Sequence, residues 1–138
     1  MFGRKSVSRI VKNKIMKTNQ EILDEFGKIL ISDVFDKGYE IIKNDISDLA
    51  ETEGYEKLFG NMNNDQKMEI EKFTKEILEG VLFQFLKIFE ENKQFKLLYE
   101  KENIRVNLVK ISEMLKAEPI IEDGWINRFS EFKFSDNK

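Results

Sequence analysis

With neither histidine nor cysteine among its 138 residues, this sequence leaves carboxylates as its main material for catalytic or metal chemistry. The missing imidazole removes the usual general base and the usual zinc or iron ligand. The missing thiol removes cysteine nucleophiles, thiolate metal sites and disulfides. Three acidic groupings could support acid–base or metal-assisted chemistry: Glu90-Glu91, Glu122-Asp123, and the series Asp45, Asp48, Glu51, whose three-residue spacing places it on one helix face. Each is equally the pattern of a solvated helix face. A calcium loop needs alternating oxygen donors, which Glu122-Asp123-Gly124 lacks. No phosphate-cradling glycine loop, G-x-S-x-G elbow or dinucleotide fingerprint occurs. The chain is therefore expected to be non-catalytic, with no catalytic, cofactor-binding or metal residue and no cofactor.

Charge is the second resource. Arg4, Lys5, Arg9, Lys12, Lys14 and Lys17 stand in the first eighteen residues without an acid. Residues 19–138 hold the other 17 basic residues and all 26 acidic ones, a net charge of −9. Residues 1–17 thus read as a basic arm, flexible or helical, on an acidic domain spanning 18–138. Three readings of the arm stand side by side. Val7, Ile10 and Val11 could form the apolar side of a short helix on an anionic membrane or nucleic acid, with Arg4, Lys5, Arg9, Lys12 and Lys14 as contacts. The arm could be solvated and fold back on the acidic body. Met16-Lys17-Thr18-Asn19 also has the look of a natural start, which would make the preceding residues an extension. The body's negative charge opposes nucleic-acid binding anywhere else.

Aromatic residues supply the candidate contact points. Phe83 falls on the polar side of its helix near Glu79, Lys87 and Glu90, so another element covers it or it is an exposed anchor. Trp125, Phe129 and Phe132 recur at i, i+4 and i+7, one turn after Ile121. They form either a closing helix clamped on the core, with Arg128 paired to a carboxylate, or a recognition patch built on Glu122, Asp123, Trp125, Arg128 and Phe129.

Positioning these residues falls to helices. One proline and seven glycines leave few forced breaks, and 41% hydrophobic with 36% charged residues is a foldable balance. The fold class expected is mainly α, a multi-helix bundle with one small β-hairpin near residues 95–108. Thr18 to Glu21 is a capping box that opens a helix. One stripe (Ile22, Phe26, Ile29, Leu30, Val34) then gives way to a second (Phe35, Tyr39, Ile42, Ile46, Leu49) beside Asp36-Lys37-Gly38, as in two helices or one bent helix. A short turn of helix between Gly54 and Gly60 is expected to plug the end of the bundle with Tyr55, Leu58 and Phe59. From Asn63 and Gln66, a second cap, to about Glu91 the apolar residues cover an arc of about 220° on a helical wheel, the mark of a central helix with neighbours on several sides. Two apolar runs around Glu100 to Asn103 suggest the hairpin. Val109 to Ala117 reads as a helix stopped by Pro119, and Asp123 as the cap of a last helix from Gly124 to about Phe132. No stretch approaches the roughly 20 apolar residues of a membrane helix, and no secretory signal pattern opens the chain, so the expected location is the cytoplasm.

The stretch Asn63 to Lys67, the aromatic run around Phe85-Leu86, the segment from Asn107-Leu108 to Ile111-Ser112 and the closing Glu-Asp-Gly-Trp-Ile-x-Arg-Phe-Ser resemble a family of small uncharacterised bacterial proteins. The likeness spans roughly residues 19–134 and excludes the arm. It departs at Ser112 to Glu118, where a glycine-containing version would be expected. In size and acidity the chain also resembles bacterial immunity proteins that neutralise toxins, which implies binding to another protein. The expected function is a non-catalytic protein–protein interaction module, an immunity-type inhibitor of a basic partner. The alternative is an accessory protein tethered by its basic arm to an anionic membrane or nucleic acid, and the third is a carboxylate-based metalloenzyme.

Overall fold

A computed structural model of the chain describes residues 17–134, which are predominantly helical with one two-stranded hairpin. Arg4, Lys5, Arg9, Lys12 and Lys14 of the expected basic arm lie outside the described residues. Among the described residues no helix is long and apolar enough to cross a membrane.

Helix α1 (Asn19–Leu30) starts where its capping box says it should. The Thr18 hydroxyl accepts from the Glu21 amide at 3.1 Å and the Glu21 carboxylate accepts from the Thr18 amide at 2.9 Å, so two of the unpaired first-turn donors are satisfied. A π-helical turn (Ile31–Phe35) joins α1 to α2 (Asp36–Lys43) without breaking the helical path. A π turn holds an extra residue, which rotates the apolar stripe about the axis. The change of phase therefore lies one turn before Asp36-Lys37-Gly38. The inner face is broader than the expected stripe: Ile22 and Leu30 are buried as expected, joined by Leu23, Gly27 and Ile31, and Phe26 packs on the core, whereas Ile29 and Val34, also expected inside, are about half exposed.

Two short helices follow, α3 (Ile46–Ala50) and α4 (Glu56–Phe59), packed chiefly on each other. They do not plug the bundle. Tyr55 and Leu58 are 53% and 58% exposed, because this pair projects from the end of α2 rather than folding under the core.

Helix α5 (Asn64–Glu91) has the second capping box, Asn63 with Gln66, and the expected length. It is not central. Leu82 and Leu86 are buried and Leu78 packs against the core, but Phe73, Ile77, Val81, Phe85 and Ile88 are 44–57% exposed. The wide apolar arc has a neighbour for one half: α2 and the 3-10 turn Leu115–Ala117 pack on it, and the other half faces outward.

Strands β1 (Leu98–Lys101) and β2 (Ile104–Asn107) pair antiparallel, with Tyr99 opposite Val106. Their two-residue turn, Glu102-Asn103, has φ of 51° and 71°, the left-handed pair that fits the twist of a hairpin. The expected helix from Val109 to Ala117 is split into α6 (Leu108–Ile111) and the 3-10 turn. The break comes at Ser112, whose backbone is extended and whose hydroxyl donates to the Glu118 carboxylate at 2.6 Å. The last helix, α7 (Trp125–Phe129), is shorter than expected and has Gly124, not Asp123, at its cap. The core gathers Ile31 and Phe35 of the π turn, Leu86, Leu115 and Trp125 from four separate elements.

Candidate functional site

The closing segment is a clamp. Trp125 is fully buried, edge-on to Phe26 at 5.9 Å and set against the backbone of α1 at Gly27, where a Cβ would come within 2.5 Å of the indole. Trp125 therefore belongs to the core and is withdrawn as a surface contact. Its indole N–H is buried with no hydrogen-bond partner among the described residues. Arg128 places its guanidinium fork on Asp24, with both N···O distances 2.9 Å, and donates a third bond to the Asp123 carbonyl at 2.7 Å. Arg128 holds the Asp24 carboxyl below the ordinary carboxylate value, helped by the Gln20 side chain and opposed by partial burial. Asp24 in turn raises the Arg128 pKa. The half-buried Phe129 ring lies under Arg128 at 4.7 Å, with the Lys28 ammonium 5.6 Å from its centroid. Glu122 and Asp123 are exposed, and their backbone carbonyls accept from Asn127 and Arg128.

Chain direction changes at Ser130. Its hydroxyl donates to the buried Asp36 carboxylate at 2.6 Å, and the Glu131 amide donates to the other oxygen at 2.9 Å. This ends α7 and turns Phe132 and Phe134 onto Tyr39, at 4.9 and 5.1 Å, so Phe132 does not share the helix face of Trp125 and Phe129. Burial and, secondarily, Glu71 raise the Tyr39 pKa. Ile121, expected on that face as well, is 48% exposed.

Phe83 is half-covered by the 3-10 turn, with the Lys116 ammonium 5.5 Å from its ring. Lys116 also pairs with Glu90 at 3.5 Å and donates its amide to the same carboxylate at 3.1 Å. Phe83 and Glu90 thus hold the 3-10 turn on α5, and Glu91 pairs with Lys87 at 3.7 Å. Among the described residues no three His, Cys, Asp or Glu side chains are grouped as a metal site would require.

Among the described residues two surfaces stand out once these interior roles are removed. The first is an acidic lobe. Asp45, Asp48, Glu51, Glu53 and Glu56 are all exposed, and the segment 44–56 contains no base. Beside them stand exposed Tyr55 and Leu58, and an open groove of about 460 Å³ runs from Leu58 past Met62 and Ile70 to Phe73. The second is the outward half of α5. Sequence spacing points to the Asp45, Asp48, Glu51 series but not to its extension through Glu56, because Tyr55, Leu58 and Phe59 have the pattern of a buried plug. The ammonium of Lys17, the last residue of the expected arm, pairs with Glu25 of α1 at 3.5 Å.

Compared with known proteins, the chain matches no protein-family model, no curated protein and no solved structure.

Proposed function

We propose that this chain is a non-catalytic cytoplasmic interaction module that binds a basic partner protein, in the manner of an immunity-type inhibitor. The observation that carries this reading is the lobe: five exposed carboxylates in a segment, 44–56, that itself holds no base, flanked by Tyr55 and Leu58 and opening past Lys57 into the groove that ends at Phe73. A one-signed patch of this kind accelerates and orients encounter with a basic surface, and the aromatic and aliphatic side chains give the docked complex its lifetime. The resemblance to immunity proteins in size and acidity agrees with it.

The test is calorimetric titration of the full chain with the purified products of adjacent genes, and with a cationic amphipathic peptide as a generic probe. The triple variant Asp48→Asn, Glu51→Gln, Glu53→Gln should bind at least about tenfold more weakly and associate more slowly, with less sensitivity to salt. Unchanged affinity in the triple variant, or no binding to any of these basic probes, would count decisively against the lobe.

A further inference from the structure

We propose that the outward half of α5 is a self-association surface on which a second copy of the chain packs with its own α5 antiparallel. This face is separate from the five carboxylates of the lobe and shares only Phe73 with the groove beside them, so the inference does not rest on their partner.

Three observations commit the face to a second copy. The first is Gly80. It sits near the middle of a 28-residue helix, beside Val81 in the exposed row, and no described atom lies within 4 Å of where its Cβ would be. A mid-helix glycine weakens the helix, and no described neighbour within the chain requires one here. An approaching helix does require one, because glycine lets two backbones come close. In an antiparallel pair centred near residue 81, Gly80 of each copy receives Val81 of the other.

Charge is the second. Glu76 and Lys87 lie on the same flank of the row, about 20° apart on the wheel and about 16 Å apart along the axis. Their midpoint, between residues 81 and 82, falls one residue, about 1.5 Å, from the Gly80–Val81 centre. A two-fold axis there sets Glu76 of each copy opposite Lys87 of the other, so the pairing is complementary twice. A parallel two-fold would put this flank of one copy against the opposite flank of the other and lose the Glu76–Lys87 pairing. Their present partners within the helix, Lys72 at 3.8 Å and Glu91 at 3.7 Å, are themselves mostly exposed and leave both charged groups accessible.

Area is the third. Phe73, Ile77, Val81, Phe85 and Ile88, each about half exposed, present on the order of 450 Å² of apolar surface. A standard interface takes about 800 Å² from each partner, with somewhat more than half of it apolar. The row therefore matches what one side of a stable dimer needs.

Sedimentation equilibrium of the full chain from about 1 to about 500 μM tests this. The wild type should pass from monomer to dimer within that range. Gly80→Leu meets open space in the monomer but a backbone in the dimer. It should raise the dissociation constant at least about tenfold while its helical circular dichroism is unchanged. Glu76→Lys should weaken the dimer, and Glu76→Lys combined with Lys87→Glu should restore it. A chain that stays monomeric overturns the proposal and leaves the face for a different protein. A dimer indifferent to Gly80→Leu, or one that the charge exchange fails to restore, overturns the antiparallel pairing.

Discussion

Asp24 and Arg128 tie the first helix to the last across 104 positions of sequence, and this contact sets a measurable pH dependence. The guanidinium fork lowers the carboxyl below its ordinary value of 3.8. A group with a depressed folded pKa contributes fully above its unfolded pKa, and the contribution is lost as pH falls through the folded pKa. Both side chains retain partial exposure, 23% and 35%, which solvent screening discounts. Asp24→Asn should therefore cost about 1 kcal/mol in urea denaturation at pH 7, and the two proteins should converge as pH falls through the depressed folded pKa of Asp24. A gap that persists in acid would mean that packing around Gln20 and Trp125, rather than the ion pair, carries the effect. The sequence suggested that Arg128 would meet a carboxylate, but which of 26 it met depends on how α1 and α7 pack. The buried Asp36 with Ser130 was hidden for the same reason: its partners are 94 and 95 residues away.

At the scale of elements, two glycines in helices make opposite predictions. Alanine is intrinsically better than glycine in a helix by about 1 kcal/mol. At Gly80 no described neighbour obstructs the added methyl, so Gly80→Ala should raise the stability of the dilute protein by up to that amount. At Gly27 the methyl would press on the Trp125 indole 2.5 Å away, and Gly27→Ala should lower stability by roughly 1 to 3 kcal/mol despite the better propensity. Paired chemical denaturation curves below the concentration of any association check both signs. Equal shifts in the same direction would place Trp125 elsewhere than on α1. Elements with local causes were legible in advance: both capping boxes and the hairpin arise from residues a few positions apart. The burial of α5 was not. Periodicity identifies which residues of a helix are apolar, but whether a neighbour covers Phe73 or Leu86 is decided by elements distant in sequence. The split of the helix after Ile111 and the early end of α7 escaped for a related reason, since Glu118 and Asp36 draw the hydroxyls of Ser112 and Ser130 toward them.

The whole molecule is a helical body whose core lies on one side of its longest helix, with an acidic lobe at one end and an apolar row on the other side of that helix. Such an arrangement makes stability depend on concentration. If two copies pair through α5 only when folded, association draws the folding equilibrium toward the native state by mass action. Above the dissociation constant, each tenfold rise in protein concentration should stabilise each chain by about 0.7 kcal/mol. For a chain of 138 residues this corresponds to a rise in Tm of roughly 2 to 3 °C per decade. Gly80→Leu should abolish the slope while leaving the low-concentration Tm at or above that of the wild type, because its side chain enters open space in the single chain. Neutralising the lobe through Asp48, Glu51 and Glu53 should leave the slope intact, since those carboxylates lie outside the apolar row. Calorimetric scans at three concentrations separate the two surfaces: a slope that disappears with the lobe variant but survives Gly80→Leu would assign self-association to the acidic end instead of to α5.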